Sequence, residues 1–134
     1  MRDPQQVMFT AIRQGCVALF GEDKVYDSGL PPDGTPYPFV YLADNQFVDD
    51  AGNKSLVIGN NYQTIHIWHD NPDERGTVSG MIAQVKSMCR KIRNTASFSW
   101  DFRNSDARIL TDMTTKAPLL HAVITVEHKL TGGT

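Results

Sequence analysis

The apolar positions change period near residue 70, and that change places one strand and one long helix next to each other in the chain. From Tyr62 to His69 they alternate, with Ile65 and Ile67 on one face against Thr64, His66 and Trp68 on the other, the period of a half-buried strand. Asn71-Pro72-Asp73-Glu74 follows and reads as a helix start. Asn is the N-cap, Pro stands at N1 where its missing N–H is harmless, and Glu at N3 reaches back as in a capping box. Val78, Met81, Ile82, Val85, Met88, Cys89 and Ile92 recur at steps of three and four, the apolar stripe of an amphipathic helix. Lys86, Arg90, Lys91 and Arg93 gather in its last turns, where cations suit the helix dipole. These residues favour packing over catalysis.

The same patterning continues on either side. A first helix is expected over Pro4–Phe20, with Asp3 as N-cap and Met8, Ile12, Cys16, Leu19 and Phe20 along one face, closed by Gly21. A short strand over residues 24–27 leads into SGLPPDGTPYP, an ordered loop fixed by its prolines and turned at Gly29 and Gly34. Phe39 to Ala43 reads as a second strand entered through Pro36 and Pro38, a placement that suits an edge or the start of a ladder. Residues 45–60 mix turn formers, Asp49, Asp50, Gly52 and Asn53, with apolar Phe47, Val48, Leu56, Val57 and Ile58. They form either a small hairpin centred on Asp50 to Lys54 or a projecting loop that covers its apolar residues against another molecule. Phe98, Trp100 and Phe102 alternate with polar residues in a one-sided strand that Arg108 to Leu110 extends. Leu120, Ala122, Ile124 and Val126 alternate in a last strand, placed centrally, before a TGGT tail expected to be mobile.

The order helix, strand, strand, strand, helix, strand, strand, with connections short enough for antiparallel neighbours, predicts an α+β fold. It is an antiparallel sheet of four to five strands with both helices packed on one face. At 134 residues the chain is one domain and buries enough surface to need no staples. A net charge of -2, spread along the sequence, gives no footprint for nucleic acid or an anionic membrane. The basic helix end has no interleaved aromatics and reads as a solvated surface. Cys16 and Cys89 both fall at apolar helical positions, which fits small buried hydrophobes in a reducing compartment. No window approaches the ~20 apolar residues of a membrane span, and MRDPQQ does not build a signal peptide.

Little in the chain suggests a reaction. His66 and His69 are three apart on a strand, so they point to opposite faces and cannot share a metal, and His121 and His128 lie far off in sequence. No Gly-rich nucleophile elbow or phosphate loop is present. Asp49 with Asp50, or Asp70 with Asp73 and Glu74, read as acid pairs on one hand and as turn and helix-start residues on the other; the second explains them better. No catalytic, metal or cofactor-binding residue is therefore assigned. Tyr37, Tyr41, Tyr62, His66 and Trp68 are either core or interface. Helices cover only one face of the sheet, so part of this set falls on the uncovered face, where such residues suit a protein contact. The candidate interface comprises Phe47, Asp49, Asp50, Asn53, Lys54, Tyr62, His66 and Trp68.

The proline-flanked PYPFVYL after VYD, the IHIWHD strand before a long helix, and the closing HAVITVEHKL resemble the tail-completion family of long-tailed bacteriophages over nearly the whole chain. The matching residues are Val25, Tyr26, Asp27, Tyr37, Pro38, Phe39, Ile65, Ile67, Trp68 and the strand from His121 to Val126, all framework positions. The resemblance implies a non-enzymatic virion protein, a tail terminator or tail-to-head joining protein, assembled in the host cytoplasm. Such a protein forms a six-fold ring of its own copies on the tail tube protein, ends tube polymerisation and meets the head connector or stopper. Two readings from other classes stand beside it: a metal-dependent hydrolase using Asp49, Asp50 and a histidine, and a small ligand or peptide-binding module.

Overall fold

The computed structural model describes residues 3–29, 31–50 and 58–133. Helix α1 spans Pro4–Phe20, and Asp3 caps it as expected, its carboxylate accepting from the Gln5 N–H at 2.9 Å. A 3-10 turn over Glu22–Lys24 leads into β1 (Val25–Tyr26), followed by β2 (Phe39–Asp49) and β3 (Gly59–His69). Helix α2 spans Arg75–Arg90, and β4 (Asn94–Thr95), β5 (Phe98–Asp112) and β6 (Leu119–Gly133) complete the chain. This is the α+β order predicted with one further short strand, β4, after α2, so the sheet has six strands rather than four to five, in the order β1-β2-β3-β6-β5-β4.

One face of the sheet carries the core. Ile65 and Ile67 of β3, Ala122, Ile124 and Val126 of β6 and Val40 of β2 have no exposed surface. They pack with Met8, Ile12 and Cys16 of α1 and with Val78, Met81, Ile82, Val85 and Cys89 of α2. The stripe read from the sequence is thus the buried side of α2, with Met88 at its margin. Ile92 packs against the core from just beyond the helix, which ends at Arg90 rather than running on through Arg93. The last strand, β6, is central, between β3 and β5.

Several expectations are corrected. β1 pairs with β2 in parallel, Val25 opposite Val40 and Tyr26 opposite Tyr41, where antiparallel neighbours were expected. The twelve residues 27–38 between them are long enough to return the chain to its starting end, which a hairpin cannot do. The ends of the long strands reach further than the alternation suggested. β2 and β3 stay paired, past one bulge, to Asp49 and Gly59, and the Asp50 N–H reaches the Ile58 carbonyl at 2.7 Å. The hairpin reading of this region therefore holds at its base; Asn53, Lys54 and the rest of residues 51–57 lie outside the described residues. Nor is the expected tail free as far as Gly133: Gly132 and Gly133 pair with Ser99 and Phe98, and a Cβ at Gly133 would stand 2.8 Å from the Phe98 ring; Thr134 lies outside the described residues.

The start of α2 also differs. Asn71 accepts from the Asp73 N–H at 3.0 Å, and its carbonyl takes the Glu74 N–H at 3.0 Å. These bonds close a turn before the helix, so Asn71 is not its N-cap. Glu74 takes that place without capping through its side chain; its carboxylate accepts from the Thr77 hydroxyl instead. A short polar side chain that can close its own turn competes with the cap.

Candidate interface on the open sheet face

Positions that alternate with the core residues point away from the helices, and on β2, β3 and β6 they bring together aromatic and imidazole rings. Register sets Phe39 opposite Trp68, Tyr41 opposite His66, and Trp68 opposite His121. Trp68 and His121 stack, with ring centroids 3.7 Å apart and planes 8° apart. His66 Nδ1 lies 2.6 Å from His121 Nε2, so one ring must donate and the other accept. Tyr26 meets Phe39 edge-on at 5.8 Å, and Tyr37 lies 5.1 Å from the same ring. The row is continuous from β1 to β6.

Both imidazoles are held neutral. Burial lowers the His66 pKa against the opposing charge of Asp44. Burial likewise lowers that of His121, helped by His66 and Arg108 and opposed by Asp112. Protonating both would set two N–H groups against each other, so the pair carries at most one shared proton without breaking its contact. At the end of the row, the prolines of residues 31–36, Tyr37, Trp68, Asp70 and Asp112 border a cleft of about 670 Å³.

The sequence-derived candidates do not form one patch. Tyr62, His66 and Trp68 share the open face, and the Tyr62 hydroxyl donates to Glu127 of β6 at 3.3 Å. Phe47 lies on the helix side, packed against the core, because it stands opposite Asn61, which is buried. Asp49 sits opposite Gly59, seven residues along β3 from His66, or roughly 23 Å at the rise of a strand. Asp50 neighbours it at the hairpin base. That separation keeps Asp49 from pairing with His66. Among the described residues no three His, Cys, Asp or Glu side chains come together in a way that could hold a metal.

Reasoning from sequence missed His121, which lies 55 residues from His66. It also missed a polar knot on the helix side, where Asn61, Gln63 and His128 have no exposed surface. Gln63 Nε2 donates to the carbonyls of Ala43 and Asp44, each at 3.3 Å, and thereby braces a bulge in β2. Gln63 Oε1 accepts from Asn45 Nδ2 at 2.9 Å. His128 Nε2 faces the Cys89 carbonyl at 2.8 Å, so the proton sits there. Burial keeps the ring neutral against the pull of that carbonyl. The alternation of β3 continues through Asn61 and Gln63, but their polarity hid them from a hydrophobic pattern.

No protein-family model and no curated protein sequence matches this chain. Among solved structures, a chain of the virion of a native gene transfer agent particle superposes with a TM-score of 0.64 at 19% identity, over 96% of this chain and 95% of that one. A second solved protein superposes at 0.59 with 11% identity, over 96% and 94% of the two chains. At these identities the likeness is one of fold, and it extends over almost the whole of each molecule.

Proposed function

We propose that this chain is a structural virion protein of a phage-like particle, acting at the end of the tail tube. There it stops polymerisation and forms the joint to the head connector as a ring of its own copies. The observation that carries this reading is the fold it shares, nearly end to end, with a chain of the gene transfer agent virion. The sheet agrees with it: one face is sealed by two helices, and the other bears the Tyr41–His66–His121–Trp68 row with no covering element among the described residues. Rings with polar tips on an open face are suited to a protein partner.

The test is genetic and structural. Deleting the gene should leave heads and tubes formed but unjoined, and purified protein added to isolated tails before heads should restore infectivity. Normal head-attached tails in electron micrographs of the deletion would end the proposal. A Trp68→Ala chain that melts normally should fail to restore joining, which would place the open face at the contact.

A further inference from the structure

The two edges of the sheet are only partly closed. β1 occupies the outer edge of β2 at Val40 and Tyr41 alone. β4 occupies β5 at Phe98 and Ser99, with the Arg93 carbonyl taking the Trp100 N–H. Among the described residues no strand pairs with the outer edge of β2 beyond Tyr41 or of β5 beyond Trp100. A row of unpaired backbone groups of that length is a template for another strand.

The geometry points to antiparallel pairing of the β5 edge of one copy with the β2 edge of the next, a head-to-tail joint that closes into a ring. Successive neighbours β2, β3, β6 and β5 are all antiparallel, so β5 runs opposite to β2. Extending the sheet by a second copy therefore presents the two edges in the antiparallel sense. Side chains fix the register. With Arg108 opposite Asp44 of the next copy, Asp106 meets Gln46 and Asn104 meets Val48 on the open face. Ser105 meets Phe47 and Ala107 meets Asn45 on the helix face. Asp44 acts on His66 and Arg108 on His121, so both charges stand over the open face, and neither enters an ion pair among the described residues.

The same register gives the stagger that closure needs. Within one copy Arg108 lies level with Val123, His66 and Tyr41, whereas Asp44 lies at the level of Thr64, two residues along β3. Closing a sheet on itself requires such an offset at each joint, and a head-to-tail interface generates a ring when its rotation closes. The bulge at Ala43–Asp44 turns those carbonyls toward Gln63. Gln5 reaches the Asn45 carbonyl at only 3.4 Å, a contact an incoming strand displaces. On β5, Asp101, Arg103, Asp106 and Arg108 alternate in sign and Arg103 lies at a bulge, devices that deter indiscriminate pairing and leave a complementary strand acceptable. A two-fold β5–β5 contact would also match charges, but it would leave every β2 edge open.

This joint rests on the ring reading, and cross-linking tests it separately. Directly opposed residues of an antiparallel pair have Cα atoms about 4.5–5.5 Å apart, within disulfide span, and the native Cys16 and Cys89 are buried. The concentrated purified chain carrying both Gln46→Cys and Asp106→Cys should form, under mild oxidation, a ladder of multimers ending in one closed species. Each single variant should give dimers at most. A double variant that gives only the dimers of the singles overturns the joint. Arg108→Asp and Asp44→Arg should each weaken self-association several-fold without changing the melting curve, and together they should restore it. Failure of the swap to restore association also overturns it. Absence of the ladder in a chain that still completes tails would overturn the joint and leave the proposed function standing.

Discussion

Gly15 of α1 lies against the Met88 side chain of α2. A Cβ placed on Gly15 would stand 2.3 Å from Met88 Sδ, 2.7 Å from Cγ and 2.9 Å from Cε, so Gly15→Ala forces the whole thioether to move rather than its tip. The substitution by itself favours a helix by about 1 kcal/mol, whereas overpacking a fitted contact costs about 1–3 kcal/mol. The single variant should therefore lose on the order of 1 kcal/mol. Met88→Ala, which removes a half-buried side chain, should lose on the order of 1–2 kcal/mol. In the double variant the obstacle is gone and the helix preference remains, so the pair should be more stable than Met88→Ala alone by about 1 kcal/mol. Urea denaturation of the four proteins at a common slope measures the cycle. Additivity within about 0.5 kcal/mol would show that α1 and α2 do not approach at Gly15.

Val85→Asp places a charge at a fully buried point of α2 and should unfold the chain or lower its melting temperature steeply; Lys86→Ala beside it should cost less than about 0.5 kcal/mol. Gly59→Ala would put a Cβ 2.4 Å from the Val48 carbonyl oxygen and 2.5 Å from the Phe47 ring, so it should destabilise by about 2 kcal/mol or more, and amide exchange should show loss of protection at the hairpin base. His66, His121 and His128 all have pKa values lowered from 6.5, burial being the first cause in each. The unfolded chain therefore takes up protons before the folded one, and the stability present above pH 6.5 should be lost as pH falls through that value toward the depressed ones. Denaturation midpoints that do not drop between about pH 7.5 and pH 5.5 would contradict this, and a His66→Gln/His121→Gln chain should show a flatter profile.

The sequence made legible those parts of the fold that depend on local pattern. Asp3 before Pro4 marked the first helix because the cap and the proline act within one turn. Ile65 and Ile67, and the row from Leu120 to Val126, were assigned to faces by alternation alone, and the structure keeps them there. What escaped depends on partners distant in the chain. The parallel pairing of β1 follows from how the proline segment returns, and the ordering of Gly132 and Gly133 follows from Ser99 and Phe98 lying alongside. Of the candidate interface, Tyr62, His66 and Trp68 were readable as outward positions, but Phe47 was not. Its face depends on the register with Asn61, and a buried asparagine gives no hydrophobic signal.

Cys16 and Cys89 have no exposed surface, and burial pushes each thiol up to about 12, Cys89 with a further contribution from Cys16. Thiolate, not thiol, is the reacting species, so in the closed molecule both are chemically silent. One stands on each helix, beneath the layer that seals the sheet. Reaction with a thiol reagent then requires that layer to lift, and its rate measures the population of the lifted state. The unmodified chain thus contains its own clock for how often the helices part from the sheet, readable before and after the protein meets any partner.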